Sequence, residues 1–364
     1  MPKLSARPLL DNVVDDQLFV DRTDELAQLQ RALAAQFNSV VIGTRGSGKT
    51  SLLRRLTFCL RAQDVRTVFL DGAVAPSAAE LLDVLREQLF GVDVTRVPMM
   101  EARLTRVLGR AEVQQSETGR LLGLVSSLRD GYAEQEQQAR EAERERLRGR
   151  APVYELEPSP RVVLLDGLPS ADVGHTLFGR LRDELWSLPI SWVVAIRDIE
   201  RGRVLRPPAD AFFETQVMLP PLQPLAAEEL LRRRLSPDDL VEDETLTAVV
   251  AHTDRQPRSL IATLRDTLVH GGSPETLATR RAELLHRLNE AGGRSAVMLA
   301  AELQALGGAS ASDDDLLQRL GWTRSRTSRL LHQLAQEGLV IGSERRDGSG
   351  GRPRRVYELV EPGL

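Results

Sequence analysis

Cysteine is nearly absent: Cys59 is the only one among 364 residues. A single thiol excludes an intramolecular disulfide framework and a cysteine-built zinc cluster, and it suits a reducing cytoplasm. Aromatic residues are scarce too, at Phe 8, Tyr 3 and Trp 3, so the cores are expected to consist of Leu, Val and Ala. No run of about 18 apolar residues occurs, and Met1-Pro2-Lys3-Leu4-Ser5 carries no apolar signal core. The chain therefore reads as soluble and cytoplasmic, with no membrane partner. An excess of one charge is also missing. Lys+Arg number 48 and Asp+Glu 52, for a net charge of −4. That excludes a uniformly basic coat for nucleic acid but allows a local basic patch. Lysine is confined to Lys3 and Lys49. A GC-rich genome explains the shortage, and a lysine kept inside a glycine-rich loop marks a site where arginine will not serve.

What is there suffices for two or three domains, since 41% of the residues are hydrophobic. Leu26, Leu29 and Leu33 lie at helical spacing over residues 24–36, with Thr23 as N-cap. Val40-Val41-Ile42 reads as a strand, followed by a glycine-rich turn and a helix from Thr50 to Leu60. Further strands are expected at Thr67–Leu70, Arg161–Asp166, Trp192–Ile196 and Gln216–Leu219. Strands separated by helical patterns imply a parallel sheet with crossover helices. Residues 97–158 form an insertion longer than one crossover needs. Its part from Glu134 to Arg150 carries five Glu and five Arg, with i,i+3 and i,i+4 pairs that suit a solvated helix. After Pro224 the pattern is helical to about 290.

Gly43-Thr44-Arg45-Gly46-Ser47-Gly48-Lys49-Thr50 fits G-x-x-x-x-G-K-[ST], directly after a strand and before a helix. Glycines let successive backbone N–H groups curl around a phosphate, and the helix N-terminus adds its dipole. Lys49 would reach the β- and γ-phosphates of ATP, and Thr50 would hold Mg²⁺. Ser51 completes the phosphate contacts. The expected cofactors are ATP or ADP with Mg²⁺. Asp166, closing an apolar strand, is the second expected metal ligand. Gly167 follows it, where many such ATPases carry a glutamate that polarises the attacking water. Either hydrolysis is slow or another carboxylate substitutes, Asp71 and Asp172 being the candidates.

Leu18-Phe19-Val20-Asp21-Arg22-Thr23-Asp24-Glu25-Leu26, the phosphate-binding loop and the Asp166 strand together resemble AAA+ and STAND ATPases. The match in architecture is to origin-recognition and initiator-type AAA+ proteins. The resemblance implies an α/β fold: a parallel-sheet P-loop ATPase core over 1–222, a helical lid over 223–291 and a winged helix-turn-helix over 292–364. It implies further that Phe19–Arg22 lies along adenine, with Arg22 among the nucleotide-binding residues. Arg197, in Ala195-Ile196-Arg197-Asp198, falls at the position of a γ-phosphate sensor. Arg258, in Gln256-Pro257-Arg258, resembles the second sensor, although the usual glycine is missing. Arg201, Arg203 and Arg206 are equal candidates for an arginine finger acting on a neighbouring copy of the chain.

The C-terminal stretch reads as two helices, a turn at Gly321-Trp322-Thr323, a third helix from Arg324 to Glu337, and a hairpin with a basic tip. Thr327, Leu330, Leu331 and Leu334 share one face of the third helix. Ser325, Arg329 and His332 face away from it, flanked by Arg326 and Ser328. Residues 324–357 hold eight Arg against three acids, a local charge of +5. With Arg352, Arg354 and Arg355 of the hairpin, that outer face suits a duplex-DNA partner. Three functions are compatible with the sequence. The first is a nucleotide-dependent AAA+ protein that binds duplex DNA. The second is a STAND-type ATP/ADP switch, whose winged helix packs internally and whose output is a protein partner or a homo-oligomer. The third is a transcription regulator with a vestigial nucleotide site.

Overall fold

The structure is a computed structural model that describes residues 4, 7–90, 117–148, 161–236, 241–345 and 354–360. The described residues form two compact units. One comprises Arg7–Leu222 with Gln256–Arg258, and the other Gln223–Arg255 with Ser259–Leu364 and the first residues of the chain.

In the first unit, five short apolar runs form one parallel sheet. They are β1 (Ser39–Gly43), β2 (Thr67–Asp71), β3 (Val162–Asp166), β4 (Ser191–Arg197) and β5 (Thr215–Met218), in the order β2-β3-β4-β1-β5. β1, β3 and β4 are interior strands with near-continuous apolar sequences, because both of their faces are covered. Helix α1 spans Thr23–Ala34, α2 Lys49–Arg61 and α3 Ala78–Phe90. On one face Leu52, Leu53 and Leu56 of α2 pack with Val41, Leu164 and Val193 of the sheet. The opposite face meets α3 and the segment from Ala171 to Phe213. Leucine, valine and alanine dominate both layers as composition implies, with one departure. Phe178 is buried with its ring centroid 5.7 Å from Trp192, 5.1 Å from Phe212 and 5.0 Å from Phe213. Four of the fourteen aromatics are thus gathered in one cluster behind the sheet.

Helix α4 (Glu117–Leu147) occupies the described part of the insertion. Its first half buries Leu121, Val125, Leu128 and Tyr132 against the α3 layer, and Tyr132 meets Phe90 edge-on at 5.2 Å. The charged second half carries the expected pairs Glu136–Arg140 at 3.1 Å and Glu145–Arg148 at 3.2 Å. Thr23 is not the cap of α1. Arg22 is the N-cap, in a left-handed conformation at φ 64°, and makes no side-chain capping bond.

Among the described residues, the second unit is helical apart from one hairpin and an isolated β-bridge. Helices span Pro224–Arg234 (α5), Asp243–Ala251 (α6), Pro257–His270 (α7) and Pro274–Leu306 (α8). α8 is kinked at Gly292-Gly293, whose backbone leaves the helical region. α9 (Asp314–Leu320) and α10 (Arg324–Gln336) follow, then β6 (Val340–Arg345) and β7 (Arg354–Leu359) pair antiparallel. Thr323 caps α10 by accepting from Arg326 N. Thr327, Leu330, Leu331 and Leu334 are buried, and the leucines pack with Leu299, Leu303 and Tyr357. A β-bridge joins Ala309 to Tyr357. Helix, bridge, two helices and hairpin make a winged helix-turn-helix. Leu284 and Leu288, before the kink, share its apolar cluster.

Candidate nucleotide site and basic face

The C-terminal ends of the strands set the site. Gly43 lies beside Arg197, and Asp71 lies beside Asp166, in the register of their strands. Between β1 and α2 the chain turns through Gly46 and Gly48, at φ 85° and 95°, backbone that glycine adopts without strain. A Cβ on Gly43 would stand 2.5 Å from Ser47 Oγ, and one on Gly46 would stand 2.8 Å from the Arg258 Cβ. The loop is therefore a tight cradle built on absent side chains. Gly46→Ala combines left-handed strain with that contact, about 1–2 kcal/mol for the backbone alone. We expect it to lower affinity for MgATP about tenfold or more in a fluorescent-nucleotide titration, and to lower the melting temperature by about 2–8 °C.

Lys49 Nζ donates to the carbonyls of Gly43 at 2.9 Å and Thr44 at 2.8 Å. Burial lowers its pKa to about 8, opposed by the negative charges of Asp166, Asp198 and Glu200. The Thr50 hydroxyl donates to Asp166, so the two residues expected to share a metal already meet. Burial nonetheless raises the Asp166 pKa, and neighbouring Asp71 raises it further. Ser47 is buried, and its hydroxyl oxygen has no hydrogen-bond partner among the described residues. A glycine cradle, an ammonium folded over it, an unspent buried hydroxyl and a threonine–aspartate pair fit a nucleoside triphosphate with Mg²⁺. Thr50 and Asp166 would hold the metal, together with phosphate oxygens. Ser51 accepts from Leu9 N at 3.2 Å, which ties the N-terminal segment to α2, while Arg45 is exposed at the loop tip.

The resemblance-derived residues separate into two sets. Arg197 and Arg258 lie at the loop. Arg258 N donates to Gly46 O at 3.3 Å, and Arg197 adjoins Gly43 and weakens the Lys49 charge electrostatically. Arg197 is also held by Glu200, whose carboxylate accepts from its guanidinium at 2.7 Å and from its backbone N at 3.1 Å. Arg22 is buried, and its guanidinium donates to Glu25 at 2.9 Å and to the carbonyl of Pro220. Asp172 is exposed and paired with Arg203 at 3.1 Å. Arg201 donates to Gln216, and Arg206 is exposed. Glu200 and Asp198 are the acids that sequence reading missed. The Arg197-x-x-Glu200 spacing was the available signal.

On the winged helix, Ser325, Arg326, Arg329 and His332 are exposed and Ser328 is half-buried. Arg354 and Arg355 are exposed on β7, while Arg352 lies outside the described residues. His332 meets Tyr357 edge-on at 6.2 Å, and the Arg355 guanidinium lies 5.5 Å from the same ring. His332 of α10 and Arg355 of β7 thus meet at one ring. Arg326 differs from the others: it donates to Ser295 Oγ at 3.0 Å and stacks on Trp322 at 4.3 Å.

A five-stranded parallel sheet with the loop after β1, an acid closing β3, a polar residue closing β4, further helices and a winged helix define an AAA+ type P-loop ATPase architecture. No family model and no curated protein matches the chain. Among solved structures, it is similar to the Aeropyrum pernix ORC1 protein in complex with DNA, at 18% identity and TM-score 0.48, covering 94% of this chain and 89% of that one. The ORC2 protein of the same organism, in ADPNP–ADP complexes, follows at 16% and 0.43, covering 95% and 91%. The Thermotoga maritima RuvB Holliday junction branch migration motor is at 14% and 0.42, covering 98% and 96%.

Proposed function

We propose that this chain binds ATP or ADP with Mg²⁺ at the Gly43–Thr50 loop and binds duplex DNA through α10 and the hairpin, with nucleotide state controlling DNA affinity or self-assembly. The observation that carries the nucleotide half is Lys49 folded over the loop beside a hydrogen-bonded Thr50–Asp166 pair. For the DNA half, it is the exposed arginines of α10 and β7, with His332 of α10 and Arg355 of β7 at the same Tyr357 ring.

The test is fluorescence anisotropy of a random-sequence duplex with and without MgATP, over a salt titration, with Lys49→Ala as control. Binding that strengthens at low salt and responds to MgATP through Lys49 supports the proposal. Absence of binding at low salt in either nucleotide state refutes the DNA half. The second reading is a STAND-type switch with a protein partner; Arg326 is held by Ser295 and Trp322 of the winged helix itself, so it is the exposed arginine of α10 least available to a duplex. A chain that binds nucleotide but no duplex would support that reading. A third function, transcription control with a vestigial nucleotide site, requires DNA binding indifferent to MgATP.

A further inference from the structure

The acid missing at position 167 cannot be restored by a small movement. Gly167 has φ 81°, a conformation that a glutamate adopts only under strain. The strand register offers a carboxylate from another direction. In-register residues of a parallel pair project to the same face of the sheet. On β3, Val162 and Leu164 face the α2 layer, while Val163 and Leu165 face the opposite one. Asp166 therefore emerges on the α2 face, where Thr50 meets it. On β2 the same parity selects Thr67, Phe69 and Asp71. Phe69 packs in the α2 layer, under the Arg54 guanidinium at 3.6 Å. Asp71 thus emerges beside Asp166, about 4.8 Å away across neighbouring strands.

The backbones beyond these two residues are held together. A Cβ on Gly72 would stand 2.3 Å from the Gly167 carbonyl oxygen. Two Asp-Gly steps, Asp71-Gly72 and Asp166-Gly167, therefore run side by side, and only glycine permits the approach. Asp71 is also oriented, since its Oδ1 accepts from Ala73 N at 2.9 Å. The other acids nearby are placed differently: Glu200 is engaged by Arg197, and Asp172 by Arg203.

We infer that Asp71 is the carboxylate that activates water for ATP hydrolysis, in the role that Gly167 cannot fill. This rests on the nucleotide reading above. Asp71 accepts one proton from the water as its oxygen bonds to the γ-phosphorus. The bond from that phosphorus to the β,γ-bridging oxygen breaks, its electron pair leaves with ADP, and inorganic phosphate is the other product. Asp166 and Thr50 hold the metal, so the two adjacent carboxylates divide the work.

The test is single-turnover hydrolysis of MgATP by the full chain, with and without duplex DNA, for the wild type, Asp71→Asn, Asp172→Asn and Asp166→Asn. MgATP affinity and melting temperature are measured on each. Asparagine at position 71 keeps an oxygen for the Ala73 N–H, so we expect affinity within about threefold of wild type and an unchanged melting temperature. Turnover is expected to fall about 100-fold, the ordinary scale for losing a general base. Asp172→Asn, at a carboxylate held on the surface by Arg203, is expected to stay within about threefold of wild type. Three results overturn the inference: Asp71→Asn turning over at the wild-type rate, Asp172→Asn being the variant that loses turnover, or a wild type that binds MgATP yet hydrolyses it no faster than Asp166→Asn. Failure of the wild type to bind MgATP is a separate result that refutes the nucleotide reading itself.

Discussion

Lys49→Ala is expected to lower MgATP affinity by about 10² to 10³-fold while leaving the melting temperature within a few degrees of wild type. The magnitude follows from the loss of a charge-assisted interaction in a partly desolvated site, about 2–5 kcal/mol, at about 1.4 kcal/mol per tenfold. The small effect on stability follows from burial, which already works against the Lys49 ammonium. Removing it relieves that cost and gives up two hydrogen bonds to loop carbonyls. The same residue sets a pH dependence. With a free-protein pKa of about 8, Lys49 is mostly charged at pH 7 and mostly neutral at pH 9. A bound polyphosphate favours the charged form, so binding above pH 8 takes up a proton. Affinity should therefore weaken about tenfold from pH 7 to pH 9 by linkage. Titration calorimetry in buffers of differing ionisation enthalpy would register the proton. Lys49→Ala should lose both the affinity and the pH dependence. A pH profile unchanged in the variant would place the titrating group elsewhere.

The sheet and the phosphate-binding loop were legible because both are written in local sequence. Five short apolar runs, each closed by Gly, Pro or a charged residue, give strands wherever helices separate them. The loop needs glycines at fixed spacing. All five strands lie within one or two residues of their expected positions. The winged helix was legible for a similar reason: Thr327, Leu330, Leu331 and Leu334 repeat at helical period and are buried together. What was missed depends on pairings distant in sequence. Thr23 looks like an N-cap, yet Arg22 takes that place because its guanidinium is held by Pro220, 198 residues away. Asp11 and Asp16 form ion pairs with Arg61 and Arg55 of α2, pairs that no local pattern announces. The apolar first half of α4 was hidden in a segment read by its charges. Leu121, Val125, Leu128 and Tyr132 do carry a helical period, so that signal was present and outweighed. Asp71 and Asp172 were indistinguishable as acids near strand ends. Register separates them, placing Asp71 beside Asp166 and leaving Asp172 paired with Arg203 on the surface.

Charge reversal on the basic face, Arg329→Glu with Arg355→Glu, is expected to reduce duplex-DNA affinity by about 10² to 10³-fold at low salt. The dependence of log affinity on log salt should become shallower by about two, near 0.9 for each phosphate that is no longer neutralised. Both side chains are exposed, one on α10 and one on β7, so neither change opens a core. Arg355 lies 5.5 Å from the Tyr357 ring, and that packing accounts for a small loss of stability at most. Arg326→Ala supplies the contrast. Its guanidinium is spent on Ser295 and Trp322, so its removal should lower the melting temperature of the winged helix more than it lowers DNA affinity. If α10 and the hairpin are a DNA-binding face, the two changes part in this way: affinity and salt slope fall with the exposed pair, and stability falls with the packed arginine. If the winged helix serves instead as an internal lock, charge reversal leaves the salt slope of any residual DNA binding untouched. Arg326→Ala then becomes the variant that alters the response to nucleotide, because it loosens an arginine already turned toward a helix of its own unit.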